Sequence, residues 1–495
     1  MSIVTRARRN YWIFLCAVIL VTALFRAPWL TKHMLWTDEF FSLMFTNGQL
    51  TDVVPPNEIV TAPPDVVGLR DAVPIADLPR IMRADTHPPL FPIALRLWRE
   101  VVGESELSAR LFMLGWSLVG VGFLFDAIHR QVGLRTAVAT GLLFAASAPM
   151  VSYGVEIRNY GIMTALIICA ANALIRIELS GYNIQRVVAF SAASLAALLT
   201  HYFALAPIVG LGLYATVRLK GRSRVAIAGS LAVAALLFCI IQLQSFFAQR
   251  SHFDSNLEYL ADRTANPIFN TFLRALCLPG RALTFDVLNN QRALALGIVL
   301  VIIIWLRRTK PMLIWATLAL ATIGQCVTID LIQQRVATNF IRYTLPATAA
   351  ILALLALAAG SFKKWSFASF LIFLIGLGTF ASIRTMNHPL RPRWNTLFDR
   401  MKVEQLSRSD IVVFVRDPNN SWPTQVRYAA FCSEIGPPIS QVVFLDKDRP
   451  LDFDPAARVY IITSDWSRPR VADHNFLWRI RGDQMGSIYA FGPQP

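Results

Sequence analysis

Long apolar runs decide most of what this chain can fold into. Runs of roughly 15–22 residues fall near 11–30, 107–128, 136–152, 160–177, 187–199, 202–217, 225–246, 293–306, 312–330, 344–360 and 366–384, eleven in all. In a bilayer a helix satisfies its own backbone over such a run, so the sequence predicts about eleven transmembrane helices. Composition agrees: 55% of the 495 residues are hydrophobic and 16% charged, where a soluble domain carries roughly 25% charged residues. An ordinary cytosolic protein, a disordered chain, a collagen-like chain and a coiled coil are excluded. The run at 136–152 is short and carries Pro149 near its end. The stretch 187–217 reads either as two short spans about Thr200-His201 or as one long helix.

Charge orients the runs. Every second connection is basic: Arg6, Arg8 and Arg9; Arg130 and Arg135; Arg176 and Arg186; Arg218, Lys220, Arg222 and Arg224; Arg307, Arg308 and Lys310; Lys363 and Lys364. These hold 16 basic residues against one acid, Glu178, and the rest of the chain has 31 basic against 30 acidic. Nearly all of the net +16 therefore sits in alternate loops, which the positive-inside rule places in the cytoplasm with the N-terminus. The same alternation favours two spans in 187–217. The high charge is thus a topology signal, and no contiguous basic patch suggests nucleic acid as a partner. Arg26 interrupts the end of the first run and no small-residue cleavage site follows, so that run reads as a retained helix rather than a signal peptide.

Outside lie a long first loop (31–106), segments 153–159 and 200–201, a loop at 247–292, the segment 331–343, and the tail 385–495. The first loop holds a Pro-rich stretch from Val53 to Pro79, read as mobile. Leu90, Ile93, Ala94, Leu97, Trp98 and Val101 then recur at helical spacing, which predicts an interfacial amphipathic helix with Pro92 in its first turn. The tail reads as a small α/β domain, with a helix at 395–407 and strands at Ile411–Val415, Val442–Leu445, Val459–Thr463 and Ser487–Phe491. The domain division is therefore 1–384 and 385–495. No phosphate-binding glycine loop is present. The six cysteines are scattered, without Cys/His spacing for a disulfide framework or structural zinc.

Ionisable residues collect at the outer ends of the runs. Asp38 and Glu39 follow the first run; a carboxylate there suits a general base, or Asp38 caps a helix starting at Glu39. Asp85 and His87 precede two prolines, where they can assist proton transfer or merely begin the interfacial helix. Glu156, Arg158 and Tyr160 close the third outer segment, as site residues or interface anchors. His201-Tyr202 interrupts the 187–217 stretch, either as a functional group or as a satisfied polar residue at the membrane edge. Arg342-Tyr343, with Arg335 upstream, can hold a phosphate or anchor the tenth run. Arg263, Arg274 and Arg281 are weaker phosphate candidates. Carboxylates, histidines and arginines on one face suit a substrate with a phosphate headgroup and a lipid tail.

Five short motifs carry a resemblance. WTDEFFS (36–42), DTHPPLFP (85–92), SYGVEIRNYG (152–161), LLTHYFAL (198–205) and FIRYTLP (340–346) resemble, in order and spacing, the GT-C membrane glycosyltransferases. The likeness is to bacterial protein O-mannosyltransferase-like members, including Rgt-type and aminoarabinose transferase-like proteins, over residues 1 to about 385. It implies the GT-C fold, a bacterial inner membrane, and transfer on the periplasmic face from a polyprenyl-phosphate-linked sugar. Asp38 would be the catalytic base, and Glu39 would support it or contact the acceptor. Asp85 and His87 would line the site. Glu156, Arg158 and Tyr160 match an ExRxY element, and Arg342 would hold the lipid phosphate, with His201 and Tyr343 as further substrate-binding residues. Attack by an acceptor hydroxyl predicts inversion at the anomeric carbon. No cofactor is required. A divalent cation at the donor phosphate is compatible, although the basic residues favour a metal-free version. The acceptor stays open between lipid A or lipopolysaccharide, another envelope glycan, and protein. A lipid-linked glycan polymerase or ligase, a flippase of lipid-linked sugars and a scaffold are the competing readings; the apolar midplane speaks against the flippase.

Overall fold

The computed structural model describes residues 3–32, 35–49, 54–256, 261–262, 264–387, 394–404, 406–416, 422–435, 440–446, 453–463, 474–481 and 487–493. Its helices are α1 (Ile3–Lys32), α2 (Thr37–Asn47), α3 (Leu78–Ile81), α4 (Leu90–Val102), α5 (Glu106–Val132), α6 (Leu134–Ala146), α7 (Ala148–Ser152), α8 (Asn159–Ser180) and α9 (Ile184–Thr200). Then come α10 (Leu205–Arg218), α11 (Gly221–Asn256), α12 (Pro267–Thr284), α13 (Asn290–Leu306), α14 (Met312–Gln333), α15 (Leu345–Gly360), α16 (Lys364–Asn387), α17 (Trp394–Glu404) and α18 (Trp422–Ile435). The strands are β1 (Ile411–Arg416), β2 (Gln441–Asp446), β3 (Val459–Thr463), β4 (His474–Arg481) and β5 (Ser487–Pro493). Contacts divide the chain into two units: Met1–Lys32, Arg83–Phe91 and Leu107–His388; and His33–Met82, Pro92–Glu106 and Pro389–Pro495. Where the sequence was divided at 384/385, contacts group most of the first outer loop with the tail.

In the first unit every apolar run is helical. Among the described residues seven helices are long and apolar enough to cross a membrane, and Leu134–Ala146, Ile184–Thr200, Tyr202–Arg218 and Asn290–Leu306 are shorter apolar helices. The 136–152 run breaks at Ser147, whose hydroxyl donates to Ala282 O at 2.7 Å before Pro149 opens the short α7. The 187–217 stretch is two helices, because His201 takes an extended backbone (φ −161°, ψ 136°) between them. Helix α15 is apolar on every side and packs against α6, α8, α12, α13, α14 and α16, as expected of a helix surrounded by others. Helix α11 instead exposes Ile240, Ile241 and Phe247, a surface fit for lipid.

The 247–292 loop contains a helix that the sequence hid, α12. Arg274, Pro279 and Arg281 break its apolar pattern. Its backbone meets α13 at glycines: a Cβ on Gly280 would lie 2.3 Å from Ala293 O, and one on Gly297 2.4 Å from Leu276 O. Some arginines of the alternate basic connections are also anchored. Buried Asp126 of α5 accepts from Arg130 Nε, Arg176 Nη2 and Asn172 Nδ2, each at 2.8 Å, and from the Tyr11 hydroxyl at 3.0 Å.

In the second unit the sheet order is β2-β1-β3-β5-β4. β1 pairs in parallel with β2 and β3, while β5 is antiparallel to β3 and β4. Ile411, Val413, Val443, Val459, Ile461, Tyr489 and Phe491 form one buried cluster. Phe414, Tyr428, Phe431 and Phe444 interlock edge-to-face elsewhere in the core. Helix α18 and strand β4 were absent from the sequence reading, their polar and charged residues masking the periodicity.

Helix α4 is amphipathic as expected, with a distinctive polarity. Leu97, Val101 and Val102 are exposed, while Arg96 and Arg99 point into the protein and are buried. Arg96 Nη1 donates to Thr46 O at 2.8 Å, and Arg99 reaches Thr46 Oγ1 and, at 2.7 Å, Val67 O. The Val53–Pro79 stretch, read as mobile, is tied down instead. From Val54 onward it is fastened by backbone bonds to β2 and to Asn47; Val53 lies outside the described residues.

Candidate active site

In the first unit the site is built on the turn between α7 and α8. Gly154 belongs there for want of space: a Cβ would lie 2.5 Å from Met150 O, 2.6 Å from Arg26 Nε and 2.9 Å from Ser117 Oγ. Arg26, which in the sequence only interrupted a span, is fully buried and fastens this turn by donating to Thr22 O at 3.1 Å and Met150 O at 2.7 Å. The turn carries Glu156, also buried, whose carbonyl accepts from Arg158 N at 2.7 Å. Arg158 then stands in extended backbone at the start of α8, its guanidinium 5.8 Å from the Tyr160 ring.

Asp85 and His87 form a pair. Asp85 Oδ2 meets His87 Nδ1 at 2.8 Å and accepts from His87 N at 3.1 Å. Burial pulls the Asp85 carboxyl upward, but His87, its hydrogen bonds and Arg158 prevail and hold it below the ordinary carboxylate range. The His87 carbonyl accepts from Gln249 Nε2 at 3.2 Å, Gln249 Oε1 accepts from the Tyr202 hydroxyl, and that hydroxyl accepts from Gln242 Nε2 at 2.9 Å. Both glutamines belong to α11. Neither belongs to a motif, and two amides in so apolar a run are the signal in the sequence that marks them.

His201 lies at the centre. Its ring is 5.2 Å from those of His87 and Tyr160 and 5.3 Å from that of Phe203. Nδ1 accepts from Phe203 N at 3.1 Å, which leaves the ring proton on Nε2. That Nε2 is buried and has no hydrogen-bond partner among the described residues. Burial first, and then His87, Arg158 and Arg342, hold His201 well below the usual histidine range, so it is a neutral donor. Arg342 closes the cluster with its guanidinium 5.9 Å from the Tyr160 ring and 5.1 Å from those of Phe340 and Tyr343. Tyr343 in turn stacks on Phe203 at 4.6 Å.

The fold thus assembles Asp85, His87, Arg158, Tyr160, His201, Arg342 and Tyr343 from four separated segments, with Glu156 two residues before Arg158. Asp38 and Glu39 belong to the second unit, at the start of α2. The capping alternative for Asp38 does not hold: Trp36 is the N-cap, and buried Glu39 accepts from Trp36 N at 3.3 Å. Among the weaker arginines, Arg274 is paired with Asp262 at 2.9 Å, and Arg281 bonds Asp286 and, at 2.8 Å, Asn339 O. Each charge is matched by a carboxylate, which disfavours a phosphate role. Arg263 lies outside the described residues, and Arg335 bridges to Ala261 through its backbone. Beside the cluster, Tyr153, Arg281, Asp286, Asn289, Asn339 and Phe340 line a cleft of about 400 Å³. No group of three or more His, Cys, Asp or Glu among the described residues is placed to hold a metal ion.

The fold has a known counterpart. ArnT from Cupriavidus metallidurans in the apo state superposes with a TM-score of 0.59 at 14% identity, over 99% of this chain and 100% of that one. The fold is that of this ArnT. A second structure of that ArnT, bound to undecaprenyl phosphate, matches with a TM-score of 0.56 at 14% identity, over 98% of this chain and 99% of that one. Residues 86–245 match the family model described as dolichyl-phosphate-mannose-protein mannosyltransferase. No curated protein matches the sequence. The segment matched by that family model contains His87, Glu156, Arg158, Tyr160 and His201, along with Gln242.

Proposed function

We propose that this chain is a glycosyltransferase that moves a sugar from a polyprenyl-phosphate-linked donor to an acceptor hydroxyl on the periplasmic face of a bacterial inner membrane. The observation that carries the reading is the buried cluster of Arg158, Arg342 and the Nε2–H donor of His201, set among aromatic rings at the ends of apolar helices. Two guanidinium groups and a neutral N–H donor suit a phosphate diester, and the rings suit the first isoprene units. An ArnT structure of this fold with undecaprenyl phosphate bound supports the ligand class.

In this reading the acceptor hydroxyl attacks the anomeric carbon as the bond to the phosphate oxygen breaks. The electron pair leaves on polyprenyl phosphate, where Arg158, Arg342 and His201 stabilise it. Asp38 takes the hydroxyl proton, Glu39 braces the start of its helix, and the Asp85–His87 pair orders the wall of the phosphate site. The sugar inverts. The cleft beside Tyr153 and Phe340, with asparagines and an Arg–Asp pair in its wall, suits a hydroxylated group. The acceptor is lipid A or another envelope glycan, or a protein. No step requires a metal, although a divalent cation at the donor phosphate is compatible with this chemistry.

The test is release of free polyprenyl phosphate from a labelled donor pool in membranes, comparing the intact protein with Asp38→Asn. A fall on the order of 10²–10⁴-fold, with normal membrane insertion, is expected for removal of a general base. Equal release from both moves the base elsewhere. No release by either, with every donor offered, removes the transferase reading.

A further inference from the structure

We propose that the C-terminal domain is the positioning scaffold of helix α2, acting through a strap, residues 54–73, fastened along the edge of its sheet. The proposal rests on the reading above that Asp38, near the start of α2, is the base.

β2 is an edge strand, and an edge presents unpaired N–H and C=O groups that must be covered. The strap covers them from far away in sequence. Asn57 N donates to Phe444 O at 2.7 Å, Val60 N to Val442 O at 2.8 Å, and Val442 N to Val60 O at 2.9 Å. Asn57 adds a two-way clamp: Nδ2 donates to Asp446 Oδ2 at 2.8 Å, and Oδ1 accepts from Asp446 N at 2.9 Å. It does so with φ at +62°, which asparagine tolerates better than most residues. Farther along, the Tyr428 hydroxyl of α18 donates to Pro64 O at 2.5 Å.

The strap's other end holds α2. Asn47, the last residue of that helix, donates from Nδ2 to Asp65 O at 2.9 Å and to Gly68 O at 2.6 Å, while Val73 N donates to Asn47 O at 3.0 Å. The strap is stiffened between these points, for Asp65 Oδ1 accepts from Val67 N and Gly68 N. Helix α18 also packs directly on α2. A continuous hydrogen-bonded path therefore runs from β2 through the strap to the C-terminal end of α2. A helix of 11 residues is stiff enough to carry that placement to Asp38. Asn57 and Tyr428 are positioning residues in this scheme.

The experiment uses the full chain in lipid nanodiscs. Asn57→Asp sets a second carboxylate against Asp446 while keeping a residue that tolerates the left-handed backbone. Combining it with Asp446→Asn restores one donor and one acceptor to the clamp. The expected result is a kcat lower by on the order of 10- to 100-fold in the single variant, with donor KM unchanged, and recovery in the double. Amide exchange across Thr37–Asn47 should quicken in the single variant and slow again in the double. An unchanged kcat in the single variant, or a double variant that fails to recover, overturns the proposal. If the unaltered protein turns over no donor, the base assignment fails on its own; α2 exchange that ignores Asn57→Asp still overturns the scaffold.

Discussion

His201 offers the sharpest test of the proposed phosphate site. The Phe203 amide occupies Nδ1, so the proton sits on a buried Nε2 that no described protein group accepts. A hydrogen bond to a charged acceptor contributes about 1.5–3 kcal/mol, which is about 10- to 150-fold in affinity. His201→Ala should weaken binding of a short-chain polyprenyl phosphate by that factor. His201→Gln keeps an N–H donor of similar reach and should recover most of it. Burial and the cationic neighbours keep the imidazole neutral, so the loss should be the same at pH 6 and pH 8. Binding is read by calorimetry in nanodiscs at both values. Affinity within twofold of the intact protein after His201→Ala refutes the donor role. A loss confined to acid pH refutes the neutral tautomer, because it would mean a charged imidazole was doing the binding.

Arg342→Lys keeps the charge but loses the planar fork, and should cost polyprenyl phosphate affinity about tenfold in the same titration. Gly154→Ala must displace Met150 O or Arg26; a thermal melt in detergent should show a loss of about 1–3 kcal/mol, with activity falling further than stability. Asp85 is held below its ordinary range. Its ionised form therefore adds stability that is complete above a pH of about 4 and fades as pH falls through the depressed value. The melting temperature lost on Asp85→Asn should accordingly be full at pH 7 and shrink on acidification; a difference that grows toward acid pH would reverse the assignment.

The helices were legible because apolar length is a one-dimensional property. Two short helices about His201 could be read because a lone polar dipeptide broke the run and the charge alternation demanded an even count. Helix α12 was not, since Arg274 and Arg281 turn inward to partners, Asp262 and Asp286, that only the fold brings close. The arginines of α4 misled in the same way: buried, they leave its leucine and valine face exposed. In the site, motif order picked out residues from Asp85 to Tyr343 that the fold gathers. It passed over Arg26, Gln242 and Gln249, whose roles are to hold a turn and a carbonyl rather than to belong to a motif. The strap escaped notice because its prolines suggest looseness, whereas its fastening depends on a strand nearly 400 residues later.

The hairpin bearing His201 is short. Neither arm, Ile184–Thr200 or Tyr202–Arg218, exceeds 17 residues, or about 25 Å of helix, against a hydrocarbon core of about 30 Å. Helices α5 and α8, with 27 and 22 residues, reach farther. On the proposed function, arms this short predict that a lipid phosphate held at His201 sits below the headgroup plane. The bilayer would then form part of the site. Thicker membranes should slow transfer and thinner ones speed it, so that acyl-chain length sets the rate without occupying any site.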